Sequence, residues 1–109
     1  MIDLFTPMDL HGLTLPNRIW MSAMTRTRAS QHNVPTSLMA EYFAQRATAG
    51  LIVTDCTAVS EQGKGIINGP GIWRDDQMEG WRAVADAVHA AGRLRSIARS
   101  FVGSGLEAQ

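Results

Sequence analysis

The stretch Ala49-Gly50-Leu51-Ile52-Val53-Thr54-Asp55-Cys56 decides how this chain is organised. A segment with helical spacing precedes Gly50, and the apolar, β-branched run after it has the composition of a buried strand. A glycine at such a junction is typical of a helix that ends in the left-handed conformation. The stretch therefore predicts a helix, a sharp reversal at Gly50 and a buried strand that ends near Cys56.

The segment upstream predicts a strand, a loop and the helix that ends at this junction. Residues 18–24 form an apolar-rich run of strand length, and residues 25–35 are polar and lack periodicity. Thr36 or Ser37 offers an N-cap to a helix that runs to about Ala49. Five apolar side chains at helical spacing form the expected buried face of this helix: Leu38, Met39, Tyr42, Phe43 and Ala47.

A long connection separates the buried strand from a second predicted helix. Residues 57–74 are rich in glycine and proline, and a connection of this length inside a compact unit is usually functional or disordered. Asp76 and Glu79 have the spacing of a capping box at the start of the helix, which is expected to end at Ala91-Gly92. Its expected apolar stripe consists of Met78, Trp81, Val84, Ala85 and Val88.

The order of these elements predicts an α/β fold with an unfinished sheet. Residues 4–15 add a small hairpin or tight turn around His11-Gly12. Alternating strands and helices imply parallel strands joined by crossovers. Two such units cannot close a barrel, and the chain has 109 residues, whereas a (β/α)8 barrel has about 250.

The last segment departs from the alternation. A third apolar strand is expected after Gly92, but residues 93–101 contain three arginines. Arginine at this density is not expected in a strand that is buried on both faces. One interpretation is a solvated basic tail or a short amphipathic segment. The preferred hypothesis is that residues 93–109 are a divergent tail, disordered or out of the original reading frame, in a truncated chain.

Composition and charge exclude several classes of function. Ten Lys and Arg balance ten Asp and Glu, which argues against electrostatic binding of nucleic acid or an anionic membrane. The only cysteine, Cys56, excludes an internal disulfide and is compatible with a reducing compartment. The N-terminus lacks a signal-peptide pattern, and no apolar run approaches the ~20 residues that span a bilayer. A cytoplasmic protein is expected.

Several segments carry a family resemblance when they are taken together. They are Leu15-Pro16-Asn17-Arg18-Ile19, residues 21–29, Tyr42-Phe43-Ala44-Gln45-Arg46-Ala47, residues 49–54 and residues 86–92. In this order and spacing they resemble the Old Yellow Enzyme family of flavin mononucleotide (FMN)-dependent ene-reductases, and in particular its bacterial N-ethylmaleimide reductase-like branch. The resemblance covers about residues 3–92.

This resemblance implies an N-terminal portion of a (β/α)8 TIM barrel, with a hairpin that caps the end opposite the flavin. Such barrels place their sites at the carboxyl ends of the strands. There the resemblance implies that Thr25 donates its hydroxyl to the flavin O4/N5 edge and tunes its potential. It implies that Ala23 and Met24 pack under or beside the ring, and that the backbone of Cys56 meets its pyrimidine edge. Ile66 matches a position that lines the substrate pocket.

The four residues assigned to the flavin also have a purely structural alternative. Thr25 is then a turn residue, and Ala23 and Met24 are core residues. The thiol of Cys56 is expected to be an inert, small hydrophobic group and not a redox centre. The three histidines have no partners at metal-ligand spacing, so no metal site is predicted.

The implied reaction places most of the chemistry outside this chain. In the family, NAD(P)H reduces FMN, the flavin passes hydride to an activated alkene, and a tyrosine protonates the product. The resemblance implies that this tyrosine, the substrate-polarising pair and the phosphate contacts follow the position of residue 92. The only tyrosine, Tyr42, lies on the predicted buried face of the first helix, so no catalytic residue is predicted and an inactive fragment is expected. The alternatives are another FMN barrel enzyme, such as a 2,4-dienoyl-CoA reductase-like protein, and a non-catalytic α/β module.

Overall fold

The computed structural model describes residues 2–91 and the backbone of residues 97–102. In chain order the elements are β1 Met8–Leu10, β2 Leu13–Leu15, β3 Trp20–Met21, α1 Ser37–Ala44, β4 Leu51–Ala58, α2 Asp75–Ala91 and β5 Ile97–Val102. β1 and β2 form an antiparallel hairpin, and β3, β4 and β5 form a parallel sheet with β4 in the centre. The predicted α/β fold with parallel strands is confirmed, and the described residues form an open sheet and no closed barrel.

The hairpin turns at His11 and Gly12, as predicted. Both residues have positive φ, 51° and 92°, which is the combination of a type I′ two-residue turn. Arg18 holds the hairpin against the chain that leads into the sheet, because its guanidinium donates to the carbonyl oxygens of Thr6 and Pro7 at 3.2 and 3.3 Å. The hairpin is thereby fixed to the amino end of β3.

β3 is shorter than the predicted strand of residues 18–24. It pairs with β4 only through Trp20 with Leu51 and Met21 with Ile52. Within the described part of the chain β3 has no strand on its other side, so only one partner holds it extended. β4 instead runs two residues beyond the predicted end at Cys56, because Thr57 and Ala58 still pair with β5.

α1 begins as predicted but ends earlier. Thr36 is its N-cap, and its Oγ1 accepts a hydrogen bond from the Met39 N–H at 3.4 Å. The helix ends at Ala44, and residues 45–49 continue in turns. The left-handed conformation predicted for Gly50 is wrong, since Gly12 is the glycine with positive φ in the described residues. Gly50 is required for another reason: a Cβ there would lie 2.2 Å from the Asn17 carbonyl oxygen.

α2 is capped differently from the prediction. The helix begins at Asp75, one residue before the predicted cap Asp76. Gln77, in the third helical position, accepts hydrogen bonds at its Oε1 from the backbone N–H groups of Trp73 and Arg74 at 2.8 and 3.1 Å. This is the side-chain half of a capping box that uses Gln77 in place of Glu79. The predicted helix end at Gly92 lies outside the described residues.

The core lies where α1 and α2 pack on each other and on β4. Leu38 and Met78, both predicted to lie on the buried faces of their helices, are instead 54% and 45% exposed. Neither helix among the described residues is long and apolar enough to cross a membrane. The core consists of Ala29, Met39, Phe43, Ala47, Ile52, Trp81, Val84 and Val88.

The expectation that no third strand follows α2 is wrong. β5 pairs with β4 in parallel from Ile52–Ile97 to Ala58–Val102, with an irregularity between Val53 and Cys56. Two of the three arginines, Arg93 and Arg95, precede the strand in sequence, and only Arg99 lies within it. The rest of the predicted tail, residues 92–96 and 103–109, lies outside the described residues.

Candidate functional site

The carboxyl ends of β3 and β4 meet at Thr25 and Cys56. The Cys56 backbone N–H donates a hydrogen bond of 3.0 Å to the Thr25 hydroxyl oxygen, across 31 residues of sequence. Both residues are partly buried. The prediction that they lie at the same end of the sheet is confirmed.

The Thr25 hydroxyl keeps its capacity to donate. A hydroxyl has one proton and two acceptor lone pairs, and the bond from Cys56 occupies one of the lone pairs. Because the oxygen accepts from the β4 side, its proton is directed away from the Cys56 N–H. Thr25 therefore presents a neutral donor whose oxygen is held in place by the backbone of β4.

Ala23 and Met24 lie between β3 and Thr25 and are exposed. The side chain of Met24 is 48% accessible. Their alternative role as core residues is therefore wrong. The two side chains instead give exposed apolar surface in the segment that leads from β3 to Thr25.

Cys56 and Ile66 line the same narrow cleft on the carboxyl side of β4. Its volume is about 10 Å³, enough for no more than one water molecule. Both residues are partly buried, so neither is sealed into the core. The other lining residues are Asn33, Ala58, Lys64, Gly65, Gly69 and Pro70.

Asn33 also lines this cleft, although the sequence predicts only that it lies in a polar loop. Its side chain is 2% exposed, and its Nδ2 donates to the Gly69 carbonyl at 2.6 Å. Its φ is +65°, a conformation that asparagine adopts more readily than most residues. An asparagine in a polar loop that lacks glycine was the available sequence signal.

Asp55 lies next to Cys56 in β4 and is 1% exposed. Burial raises the pKa of its carboxyl above the ordinary value, and the Arg26 backbone N–H, which donates to Oδ2 at 3.4 Å, partly opposes this shift. Asp55 also lines a larger cavity of about 290 Å³ between the loop after β3 and α1. That cavity contains neither Thr25 nor Cys56, and its other lining residues are Arg26, Arg28, Leu38, Met39, Glu41, Tyr42, Phe43 and Gln45.

The arrangement suits the binding of a flat, polar-edged ring better than acid–base catalysis. At the end of the parallel sheet, Thr25 provides a hydroxyl donor whose oxygen is fixed, and Met24 provides exposed apolar surface. The narrow cleft lined by Cys56 lies at the same end. Tyr42, the only tyrosine, is half-buried on α1 with the Arg46 guanidinium 4.0 Å from its ring centre. It lines the 290 Å³ cavity and not the cleft that contains Cys56.

Comparison with known proteins shows which family this chain is related to. The sequence profile of the NADH:flavin oxidoreductase / NADH oxidase family matches residues 3–107. The chain superposes on the old yellow enzyme homologue NCR from Zymomonas mobilis with a TM-score of 0.86 and 45% identity, over 94% of this chain and 28% of that one. It belongs to the Old Yellow Enzyme family. Morphinone reductase, solved in complex with tetrahydroNAD, gives a TM-score of 0.87 at 43% identity, over 94% of this chain and 28% of that one.

Among curated relatives, the chanoclavine-I aldehyde reductase of Penicillium roqueforti is 46% identical over 94 residues, which are 84% of this chain and 26% of that protein. This Old Yellow Enzyme chain thus spans about a quarter of the curated relatives it matches. The expectation that the resemblance stops near residue 92 is wrong, because the family profile matches through residue 107. The division into residues 1–92 and a divergent tail from residue 93 stays a prediction.

Proposed function

We propose that this chain supplies the first wall of the FMN site in an ene-reductase that reduces activated alkenes with NAD(P)H. The observation that carries the proposal is the hydrogen bond from the Cys56 N–H to the Thr25 hydroxyl, because it fixes the oxygen at the carboxyl end of the sheet and leaves its proton able to donate. FMN, when bound, supplies the hydride chemistry. The chain's own residues bind and orient the ring.

The role proposed for each residue follows from its contacts at the carboxyl ends of β3 and β4. Thr25 donates its hydroxyl proton to the polar edge of the ring, and Cys56 holds the Thr25 oxygen through its backbone. Ala23 and Met24 offer exposed apolar surface that the ring would cover. Ile66, beside Cys56, forms an aliphatic part of the substrate wall. A neutral donor at the ring edge stabilises the electron-rich reduced flavin, so Thr25 favours reduction.

A chimera tests this proposal. Residues 3–91 replace the matching part of the Zymomonas mobilis enzyme, which is 45% identical over the matched region. We expect the purified chimera to bind FMN, with quenched flavin fluorescence, and to oxidise NADPH in the presence of cyclohexenone or a maleimide. The unaltered Zymomonas mobilis enzyme is the control. A chimera that unfolds cooperatively on heating but binds no FMN would contradict the proposal.

The finer assignments belong to the same proposal. We propose that the protein acts in the cytoplasm and accepts NADPH as well as NADH. Fractionation of cells with an antibody to the chain tests the location, and the chimera's rates with the two nucleotides test the reductant. Recovery of the protein in a membrane fraction, or a chimera reduced by neither nucleotide, would overturn these assignments.

A further inference from the structure

We propose that Asn33 is a positioning residue that sets the shape of the cleft between Ile66 and Cys56. Its side chain belongs to the loop after β3, but it bonds to the loop after β4, which carries Ile66. The consequence for substrate selection rests on the proposed function of this cleft. The positioning itself is a property of the chain without any ligand.

Asn33 bonds to the second loop from both its side chain and its backbone. Its Nδ2 donates to the Gly69 carbonyl at 2.6 Å, and its own carbonyl accepts from the Gly71 N–H at 2.8 Å. Further bonds join the two loops nearby, from the Ala29 N–H to the Asn68 carbonyl at 3.1 Å and from the Arg74 guanidinium to the His32 carbonyl. Two side chains contribute to these bonds, and that of Asn33 is the buried one, since Asn33 is 2% exposed and Arg74 is half-buried.

Gly69 links Asn33 to Ile66, because it contacts both residues. The Gly69 N–H donates to the Ile66 carbonyl at 3.2 Å, which closes a tight turn. A Cβ on Gly69 would lie 3.2 Å from the Ile66 Cβ, so the two residues are in close contact. The Asn33 amide holds one face of Gly69 while Ile66 packs on it, and a shift of Gly69 therefore moves Ile66 relative to Cys56.

The buried setting makes this bond specific. A carbonyl that loses its only side-chain donor in a buried place keeps its desolvation cost. The positive φ of Asn33 also explains the residue type, since asparagine tolerates this conformation and carries a donor of the right length. Glycine would keep the backbone conformation but has no donor, and aspartate would keep the shape but has no proton at neutral pH.

Two substitutions separate the donor from the backbone conformation. Asn33→Gly removes the carboxamide and keeps φ. Asn33→Asp keeps the size and places a carboxylate against the Gly69 carbonyl. Asn68→Asp is the matched control, because Asn68, in the loop after β4, also has a positive φ, +58°, and its side chain is exposed. All variants are made in the 109-residue chain.

Two readouts follow the cleft in the chain without FMN. The rates of amide hydrogen exchange at Gly69 and Gly71 are divided by those at Val84 and Val88 in α2. This exchange ratio corrects for any loss of stability of the whole chain. Alkylation by iodoacetamide reports the accessibility of Cys56, the only cysteine. For both Asn33 variants at pH 7 we expect the exchange ratio to rise about tenfold and the thiol to react faster. Asn68→Asp should match the unaltered chain.

Acid provides a rescue that a general structural defect would not show. Burial favours the protonated form of the new carboxyl in Asn33→Asp, so at pH 4 we expect its O–H to donate to the Gly69 carbonyl. The exchange ratio of this variant should then return to that of the control, while the exchange ratio of Asn33→Gly should stay raised. Lys64 and Cys56 line the same cleft, and Arg74 bonds the carbonyl of the preceding residue, His32; both variants share these groups.

An unchanged exchange ratio in both Asn33 variants would overturn the proposal, as would a rescue of Asn33→Gly by acid. Faster exchange at Gly69, Gly71, Val84 and Val88 alike would also overturn it, because Asn33 would then stabilise the whole chain and not the cleft. None of these outcomes depends on FMN. A failure here therefore leaves the FMN proposal intact, and a chimera without FMN leaves the role of Asn33 intact.

Discussion

Gly50 permits a close approach of two chain segments at the amino end of the sheet. Its N–H donates to the Ile19 carbonyl at 2.7 Å, while its missing side chain leaves room for the Asn17 carbonyl. Asn17 is itself fixed there, because its Nδ2 donates to the Thr48 carbonyl at 2.8 Å. The backbone oxygen of Asn17 therefore has little freedom to move aside.

Gly50→Ala should accordingly destabilise the chain by about 1–3 kcal/mol, the usual cost of forcing atoms into a packed site. The free energy of unfolding from urea titration measures the effect. Gly65→Ala is the control, because a Cβ at Gly65 meets no atom within 4 Å. Equal stability of the two variants would show that the contact with Asn17 relaxes without cost.

Residue roles differed in how readily the sequence revealed them. Thr25 and Cys56 could be placed together because the carboxyl ends of parallel strands meet at one sheet edge, and their hydrogen bond confirms this position. Asn33 could not be placed, since its role depends on a contact with Gly69, 36 residues away. Gly50 was recognised as necessary for the wrong reason, because close packing and a left-handed turn both select glycine.

At the scale of elements, Thr36 joins a helix to a loop. Its Oγ1 accepts from the Met39 N–H and donates to the Arg28 carbonyl at 2.7 Å. The hydroxyl therefore caps α1 and also fixes the loop that carries Thr25. The loss of an N-cap hydroxyl alone costs about 0.5–2 kcal/mol.

Thr36→Ala should lower the free energy of unfolding by about 1–2 kcal/mol, towards the upper part of the N-cap range because a second hydrogen bond is lost. Thermal and urea unfolding followed by circular dichroism measure it. Ser37→Ala is the control, since Ser37 is the exposed first residue of α1. A Thr36 variant as stable as the Ser37 variant would remove Thr36 as the cap.

The elements were predicted better in kind and order than in extent. The hairpin, β3, α1, β4 and α2 follow from local periodicity and turn residues. The ends of α1 and β3 depend on tertiary pairing, which no local pattern contains. β5 was missed because arginines outweighed its apolar residues in the sequence, whereas strand pairing uses backbone groups that every residue other than proline supplies.

At the scale of the whole molecule, the described sheet is open on both sides. Among the described residues, β3 and β5 each pair with β4 alone. Near β3, Phe5, Ile19 and Trp20 are 73%, 42% and 44% exposed and line a groove of about 550 Å³. In a family whose members are about four times as long as the matched segment, such surface is what further barrel units would cover.

The 109-residue chain by itself is therefore expected to show no stable FMN binding and no alkene reductase activity. The Thr25 hydroxyl and the apolar surface of Met24 offer contacts to the ring, and much of a nucleotide's affinity comes from charge-assisted bonds to its phosphate. Isothermal titration with FMN and an NADPH-dependent cyclohexenone assay measure both. Micromolar affinity or turnover would mean that the chain assembles a complete site by itself.

The reduction potential of FMN bound to the chimera tests the central claim, that Thr25 presents its hydroxyl to the flavin. Thr25→Ala should lower the midpoint potential by about 20–40 mV, the equivalent of one hydrogen bond to the reduced ring in a two-electron couple. Thr27→Ala, two residues along the same loop, should leave the potential unchanged. A potential that is the same in both variants would contradict the account and remove Thr25 from the flavin edge.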